Sequence, residues 1–286
     1  MEFKILDEDF KIPVLGLGTW GIGGFMETDS SNDDESIQAI RNAIDLGYTH
    51  IDTGELYGAG HSEDLIGKAI KDLDRSKLII TSKVFKTNLK YDHVIASCKK
   101  SLEKLQTNYI DIYLVHAPNP EIPLKETMRA MNYLIEQKLV RYIGVSNFSV
   151  EEMKEAQKYS KNKIIANQIP YNLATRNKNH RGSCINMESE IIPYCQENDI
   201  IIMAYRPIER GFLLEPNYVL EELSKKYNKT KAQIAINWLI SKKGIITIPK
   251  STNVEHLKEN LSAVGWNLSD EDIKLLDETK FESPSY

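Results

Sequence analysis

The chain reads as an α/β protein, a (β/α)8 or TIM barrel with an N-terminal β-hairpin and an extra C-terminal helix. Three observations predict this. Short, almost wholly apolar runs recur along the sequence, amphipathic stretches of helical period separate them, and polar residues with useful chemistry fall where the runs end. Apolar strands alternating with helices imply parallel pairing with both faces covered, because parallel neighbours need crossover connections. Eight such units over about 250 residues match the barrel.

The hairpin is expected around Lys4 to Lys11, and Val14-Leu15-Gly16-Leu17 begins the repeat. Further strand-like runs fall at Thr49 to Asp52, Leu78 to Ser82, Ile110 to His116, Tyr142 to Ser146, Ile164 to Ile169, Ile200 to Ala204 and Ile245 to Ile248. Helical patterns cover Asp34 to Leu46, Ser62 to Asp72, Val94 to Leu105, Leu124 to Gln137, Val150 to Tyr159 and Lys231 to Ser241. Asp34 is expected just before the first helix, Ser149 with Glu152 spells a capping box, and Gly47 stops a helix. Asp270 to Glu278 is one more amphipathic segment, expected outside the barrel. No low-complexity linker or shift in composition marks a boundary, so residues 1–286 are expected to form a single domain.

Composition excludes several functions. Hydrophobic residues make up 41% and charged residues 27% of the chain, the balance of a soluble globular protein. No apolar run approaches the ~18 residues that a membrane helix needs. The N-terminus alternates charged with apolar side chains and lacks a basic start before an apolar stretch, which predicts no secretion signal. Cys98, Cys184 and Cys195 form no C-x-x-C pair, and so small and odd a number argues against a disulfide framework; a reducing cytoplasm is expected. The net charge is -5, and Lys and Arg are dispersed, with no polybasic block to bind nucleic acid or an anionic membrane. His50, His61, His93, His180 and His256 show no metal-ligand spacing, so no metal is expected.

Active sites of parallel barrels form at the C-terminal ends of the strands. The polar residues there are Thr19 and Trp20, Asp52 with Tyr57, Lys83, His116, Ser146 with Asn147, Gln168, Tyr205, and Lys250 with Ser251. A phenol with a pKa near ~10 is a poor proton donor at neutral pH unless a cation favours the phenolate. Lys83 supplies a cation for Tyr57, Asp52 holds Lys83 charged and oriented, and His116 hydrogen-bonds a substrate carbonyl oxygen. Such a donor beside a hydride source reduces an aldehyde or ketone to an alcohol. Alone, His116 reads as a hydrogen-bonded structural histidine and Asp52 with Lys83 as a structural ion pair. Tyr57 in their company is what points to chemistry. Gly16-x-Gly18-x-x-Gly21 fits the dinucleotide fingerprint of a Rossmann fold, but that motif opens a helix directly, whereas here Ile-Gly-Gly-Phe-Met-Glu-Thr-Asp-Ser-Ser-Asn follows.

Gly16-Leu-Gly18-Thr-Trp20, Asp52-Thr-Gly-Glu-Leu-Tyr57-Gly, Lys83, Leu-Val-His116, Gly144-Val-Ser-Asn-Phe148 and Ile248-Pro-Lys-Ser251, in this order over essentially the whole chain, resemble the aldo-keto reductase superfamily. The resemblance implies a NAD(P)-binding barrel without a Rossmann domain and a catalytic tetrad of Asp52, Tyr57, Lys83 and His116. It implies that Ser146, Asn147 and Gln168 hold the nicotinamide carboxamide and that Tyr205 stacks on the ring. Thr19 and Trp20, at the end of the first strand, are taken with the cofactor-binding residues, Trp20 being equally open to barrel-end packing. Arg206, Pro207, Ile208, Arg210 and Gly211 match the loop that straddles the cofactor pyrophosphate. Lys250, Ser251, Thr252, Glu259 and Asn260 fall where the family binds the 2'-phosphate and adenine. One departure is His256, where many members carry an arginine. Lys250 as a point charge and Ser251 as a hydroxyl donor still favour a phosphate, so NADPH is the expected cofactor, with NADH use open. The expected substrate is a small aldehyde, ketone or sugar, and a monomer is the family default. A competing reading is a non-catalytic nucleotide-binding regulatory subunit resembling potassium-channel β subunits; the intact tetrad favours the enzyme. Residues 117–123 are short and proline-rich, predicting a rigid, open pocket wall. The longer segment Asn172 to Met187 carries Arg176, Lys178, His180 and Arg181, which stand either near the entrance, where an anionic or polyol substrate would suit them, or on a solvated loop.

Overall fold

Two antiparallel strands open the fold, whose computed structural model describes residues 2–5, 10–176 and 186–281. They are β1 (Phe3–Ile5) and β2 (Lys11–Pro13), with Phe3 opposite Pro13 and Ile5 opposite Lys11. The repeat follows: β3 (Leu17–Gly18), α1 (Asp33–Asp45), β4 (His50–Asp52), α2 (His61–Ile70), β5 (Ile79–Val84), α3 (Tyr91–Lys104), β6 (Ile110–Val115) and α4 (Leu124–Glu136). It continues through β7 (Val140–Ser146), α5 (Val150–Tyr159), β8 (Ile164–Ile169), α6 (Ile192–Glu197), β9 (Ile201–Ala204), α7 (Tyr218–Tyr227), α8 (Lys231–Ser241) and β10 (Ile245–Thr247). Two helices, α9 (Val254–Leu261) and α10 (Asp270–Glu278), end the described chain. Among the described residues, no helix is long and apolar enough to cross a membrane.

Strands β3 to β10 pair in sequence order, each parallel to the next. The ring closes where Leu15 bridges Thr247: the Gly16 amide donates to the Thr247 carbonyl at 2.9 Å, and the Thr247 amide donates to the Val14 carbonyl at 2.9 Å. Closure removes the sheet edge that an open sheet would have to protect. Alternation of side chains then divides each strand between two apolar regions. Ile112, Leu114, Ile165, Ile201, Met203 and Ile246 fill the barrel, joined by Phe10 and Ile12 of the hairpin, which plug its floor. The larger cluster, including Ile51, Ile80, Tyr113, Ile143 and Ile202, lies between the sheet and the helices.

Most expected elements stand where the periodicity put them, and α5, α8 and α10 match residue for residue. The Ser149 capping box is complete, with the Glu152 amide donating to Ser149 Oγ at 3.2 Å and the Ser149 amide to Glu152 Oε2 at 2.7 Å. Gly47 follows α1 with φ of 106°. The differences are local. The first barrel strand is shifted, because Val14 to Gly16 bond across the seam to Thr247 instead. Asp34 lies inside the first turn of α1, whose preceding residue is Asn32; Asp33, Asp34 and Glu35 there face the positive end of the helix dipole. Helices α6, α7 and α9 had no expected counterpart. They span six, ten and eight residues.

The seam also explains Gly16-x-Gly18. A methyl group on Gly16 would lie 2.5 Å from His50 Nδ1, and one on Gly18 would lie 2.6 Å from the Ile248 carbonyl oxygen. The pair serves strand packing at barrel closure, not the turn of a phosphate-binding loop. Gly18→Ala is therefore expected to cost about 1–3 kcal/mol in denaturant unfolding, as overpacking against backbone does. An unchanged midpoint would show that the seam yields without cost.

Candidate active site

Strands β4 and β5 pair with Asp52 beside Thr81, so the next inward residue of β5 is Lys83. Its ammonium reaches three acceptors: Asp52 Oδ2 at 2.7 Å, the Thr53 carbonyl at 2.6 Å and Tyr57 Oη at 3.1 Å. An ammonium has three N–H bonds, so Lys83 is fully committed. Lys83 is fully buried and Asp52 is 2% exposed. Burial works against the Lys83 charge, but Asp52 and Tyr57 outweigh it and raise its pKa above the ordinary value, so the ammonium is held charged. Burial also lifts the Asp52 carboxyl above its ordinary range, offset in part by Lys83 and Gln168. The second Asp52 oxygen accepts from Gln168 Nε2 at 2.7 Å, across the barrel from β8.

His116 follows β6, its ring edge-on to Tyr57 with centroids 5.8 Å apart. Trp20 meets the Tyr57 ring edge-on at 4.8 Å, and Phe85 meets His116 at 5.8 Å. The backbone at Gly58 and Ala59 is left-handed, and the Gly58 amide donates to the Phe25 carbonyl at 2.7 Å, tying the turn after Tyr57 to the loop after β3. The four residues Asp52, Tyr57, Lys83 and His116 thus lie together at one end of the barrel.

A cavity of about 330 Å³ opens over them. Of the residues expected to bind a cofactor, Thr19, Trp20, Ser146, Asn147, Gln168, Tyr205, Arg206, Pro207, Ile208, Arg210, Lys250 and Asn260 line it together with Asp52, Tyr57 and His116. Asn147, left-handed at φ of 61°, donates to the His116 carbonyl at 3.0 Å and to Ser146 Oγ at 2.9 Å, and accepts from Tyr205 Oη at 2.9 Å. Amides and hydroxyls on one part of the wall and the cations of Arg206, Arg210 and Lys250 on another suit a ligand that combines a carboxamide with phosphates.

Gly211, Ser251, Thr252, His256 and Glu259 do not line this cavity. Ser251 is buried and donates to the Asn253 carbonyl at 3.2 Å; the exposed His256 engages Asn253 Oδ1 through its own amide. Thr252 faces a second cavity that Lys250 shares with Asp29 and Glu35, and Glu259 accepts from Gln233 through its carbonyl. Arg176, a candidate for the entrance, is instead turned to Glu188 at 2.8 Å and to the Asp277 carbonyl on α10. Lys178, His180, Arg181 and Cys184 lie outside the described residues. Gly18, Leu56, Ile248 and Pro249 also line the cavity. All but Leu56 stand at the seam between the first and last barrel strands, and their place in two of the quoted motifs was the available signal.

The family model described as Aldo/keto reductase family matches residues 14–280. The chain belongs to the aldo/keto reductase family. The methylglyoxal reductase YeaE of Escherichia coli (strain K12) is 33% identical over 274 residues, covering 94% of this chain and 91% of that protein. The glyoxal reductase of Bacillus subtilis (strain 168) is also 33% identical over 274 residues, covering 95% and 90%. Among solved structures, the thermostable aldo-keto reductase Tm1743 with the inhibitor epalrestat superposes with a TM-score of 0.90 at 46% identity, covering 97% of this chain and 99% of its own. An aldo-keto reductase from Klebsiella pneumoniae in complex with NADPH gives 0.86 at 30% identity, with full coverage of both chains at 100%.

Two buried titratable groups flank the reductase's ion pair. Glu63, 1% exposed in the first turn of α2, accepts from Ser82 Oγ at 2.6 Å on the outer face of β5, and burial pushes its carboxyl up to about 7. His50, one inward position below Asp52, is lowered to about 3 by burial and by Lys83. Their linkage runs in opposite directions. The Glu63 contribution is fully present below its ordinary 4.5 and is lost as pH rises to about 7; the His50 contribution is present above 6.5 and is lost as pH falls towards 3. Glu63→Gln removes the first alone. Between pH 4.5 and 8 the unfolding free energy should shift in favour of the variant, relative to wild type, by about 3 kcal/mol, at ~1.4 kcal/mol per pH unit of pKa difference. A constant difference across that range would mean that Glu63 titrates normally.

Proposed function

We propose that this aldo/keto reductase catalyses the reversible, NADPH-dependent reduction of a small aldehyde, ketone or sugar carbonyl to an alcohol, with Tyr57 as proton donor. The observation that carries the reading is the buried Lys83 ammonium, held by Asp52 at 2.7 Å and turned onto Tyr57 Oη at 3.1 Å. A cation at hydrogen-bond distance stabilises phenolate, so the Tyr57 proton is released more easily as negative charge builds on the substrate oxygen. His116, beside Tyr57 in the same cavity, gives that oxygen a hydrogen bond. When bound, the nucleotide supplies a hydride to the carbonyl carbon. Ser146, Asn147 and Gln168 would hold its carboxamide, Tyr205 its ring, Arg206 and Arg210 its phosphates and Lys250 its 2'-phosphate. Support comes from the relatives named as methylglyoxal and glyoxal reductases and from the Klebsiella pneumoniae structure with NADPH. We place the enzyme in the cytoplasm as a single-domain monomer; Cys98 and Cys195, buried free thiols, fit a reducing compartment.

Tyr57→Phe removes one hydroxyl from the centre of this arrangement. Its kcat for carbonyl reduction, followed at the nucleotide absorbance, should fall by about 10²–10⁴, the range of a lost general acid, while NADPH still binds. Full activity in that variant would remove Tyr57 from the donor role, and a wild type that binds NADPH yet turns over no carbonyl from a broad panel would favour a regulatory subunit. The cofactor preference has its own check. With Lys250 on the cavity wall, KM for NADPH should lie about tenfold or more below KM for NADH, the scale of about one and a half kcal/mol for a charge-assisted contact; a lower KM for NADH would reverse the assignment.

A further inference from the structure

The loop after β9 has an uncommon backbone. Arg206, Glu209 and Arg210 are non-glycine residues in the left-handed region, with φ of 58°, 42° and 54°. Each such residue costs about 1–3 kcal/mol and persists only where its surroundings overdetermine it. The side chains of Arg206, Pro207, Ile208 and Arg210 that line the cavity depend on that conformation.

What holds the loop is Asn172, three residues past the end of β8 and fully buried. Its Nδ2 donates to the Arg206 carbonyl at 2.9 Å and to Glu209 Oε2 at 2.7 Å. Its Oδ1 accepts the amides of Ala174 at 2.8 Å and Thr175 at 2.9 Å, anchoring it in its own turn. The Arg206 carbonyl also accepts the Glu209 amide at 2.9 Å. Glu209 is fully buried, yet its Oε1 makes no hydrogen bond. A buried carboxylate oxygen without a partner destabilises a fold. Stability alone would therefore be served better by an apolar residue, and the carboxylate must be judged by what it positions.

We propose that Asn172 and Glu209 are positioning residues for dinucleotide binding: a buried amide–carboxylate clamp that sets the loop 206–211 in the conformation from which Arg206 and Arg210 meet the phosphates. The proposal rests on the NADPH reading of the cavity. It places the clamp behind the loop, away from the reacting atoms, so its loss acts on nucleotide affinity and leaves proton transfer intact.

The test titrates NADPH against the whole protein, followed by fluorescence, and measures KM and kcat with one carbonyl substrate. In Glu209→Ala the Kd and KM for NADPH should rise about tenfold to a hundredfold, as expected for a lost hydrogen bond to a charged group, with kcat at saturating nucleotide within about threefold of wild type. Glu209→Gln keeps an acceptor for Asn172 and should restore affinity to within about threefold. Asn172→Asp retains the acceptor for Ala174 and Thr175 but loses both donations to the loop, so it should reproduce the Glu209→Ala loss and is read in its place if that variant does not fold. The clamp is overturned if a folded variant binds NADPH as wild type does, if melting temperature falls without a change in Kd, or if kcat at saturation falls while Kd stays constant. A wild type that binds no NADPH overturns the reading of the cavity and the clamp with it; wild-type binding that survives in the variants overturns the clamp alone.

Discussion

Burying an ammonium with a carboxylate is costly unless the geometry is good and the remaining polar atoms find partners, and the upper layer of this barrel meets that condition around Lys83 and Asp52. The partners come from different parts of the chain. Asp52 ends β4, Lys83 sits on β5, the Thr53 carbonyl follows β4, and Gln168 reaches from β8 to the second carboxylate oxygen. Removing either charge would leave the other buried and uncompensated, a change that typically costs about 3–5 kcal/mol. Tyr57 accepts the third bond of Lys83, so the same constraint that makes the pair tolerable also aims it at the phenol.

The strand that carries Lys83 is held from both faces. Inward, Lys83 is spent on its three acceptors; outward, Ser82 donates to Glu63 at 2.6 Å. The next residue back on α2, Ser62, donates to Thr19 Oγ1 at 3.0 Å and accepts from Thr53 Oγ1 at 3.3 Å, while Thr19 donates to the Asp52 carbonyl at 2.9 Å. The first turn of α2 thereby ties the ends of β3, β4 and β5 together. Networks of this kind, satisfied throughout, make a polar layer rigid, and this one keeps Lys83 at 3.1 Å from Tyr57 Oη.

Left-handed non-glycines stand at both ends of the barrel: Gln106, Lys138, Asp199 and Asn228 follow helices, whereas Ala59, Asn147, Arg206, Glu209 and Arg210 lie on loops that follow barrel strands. In each of these loops, hydrogen bonds from another part of the chain hold the geometry: the Gly58 amide to Phe25, Asn147 to His116, Asn172 to Arg206. The helix face of the barrel, by contrast, is apolar and regular. This division suits an enzyme whose chemistry varies with its loops while its frame does not.

The sequence by itself determined the kind and order of the elements, since apolar period and cap chemistry are local properties, legible in Ser149 with Glu152 or in Ile164 to Ile169. It also determined the residues Asp52, Tyr57, Lys83 and His116 as one chemical set, because each stands at or just past a strand end and strand ends converge in a barrel. Tertiary structure alone decided which of the later residues join them. Lys250 and Asn260 line the cavity while Ser251, His256 and Glu259 do not, although Lys250 is adjacent to Ser251 in the chain and Asn260 to Glu259. Arg176 was drawn away by Glu188 and Asp277, partners that no local pattern links to it. Gln168 on Asp52 and Asn172 on Glu209 are likewise contacts between distant residues. They exist only once Leu15 meets Thr247 and the closed ring fixes the register of every strand, and that register is a property of the whole circumference, which no local stretch of sequence can specify.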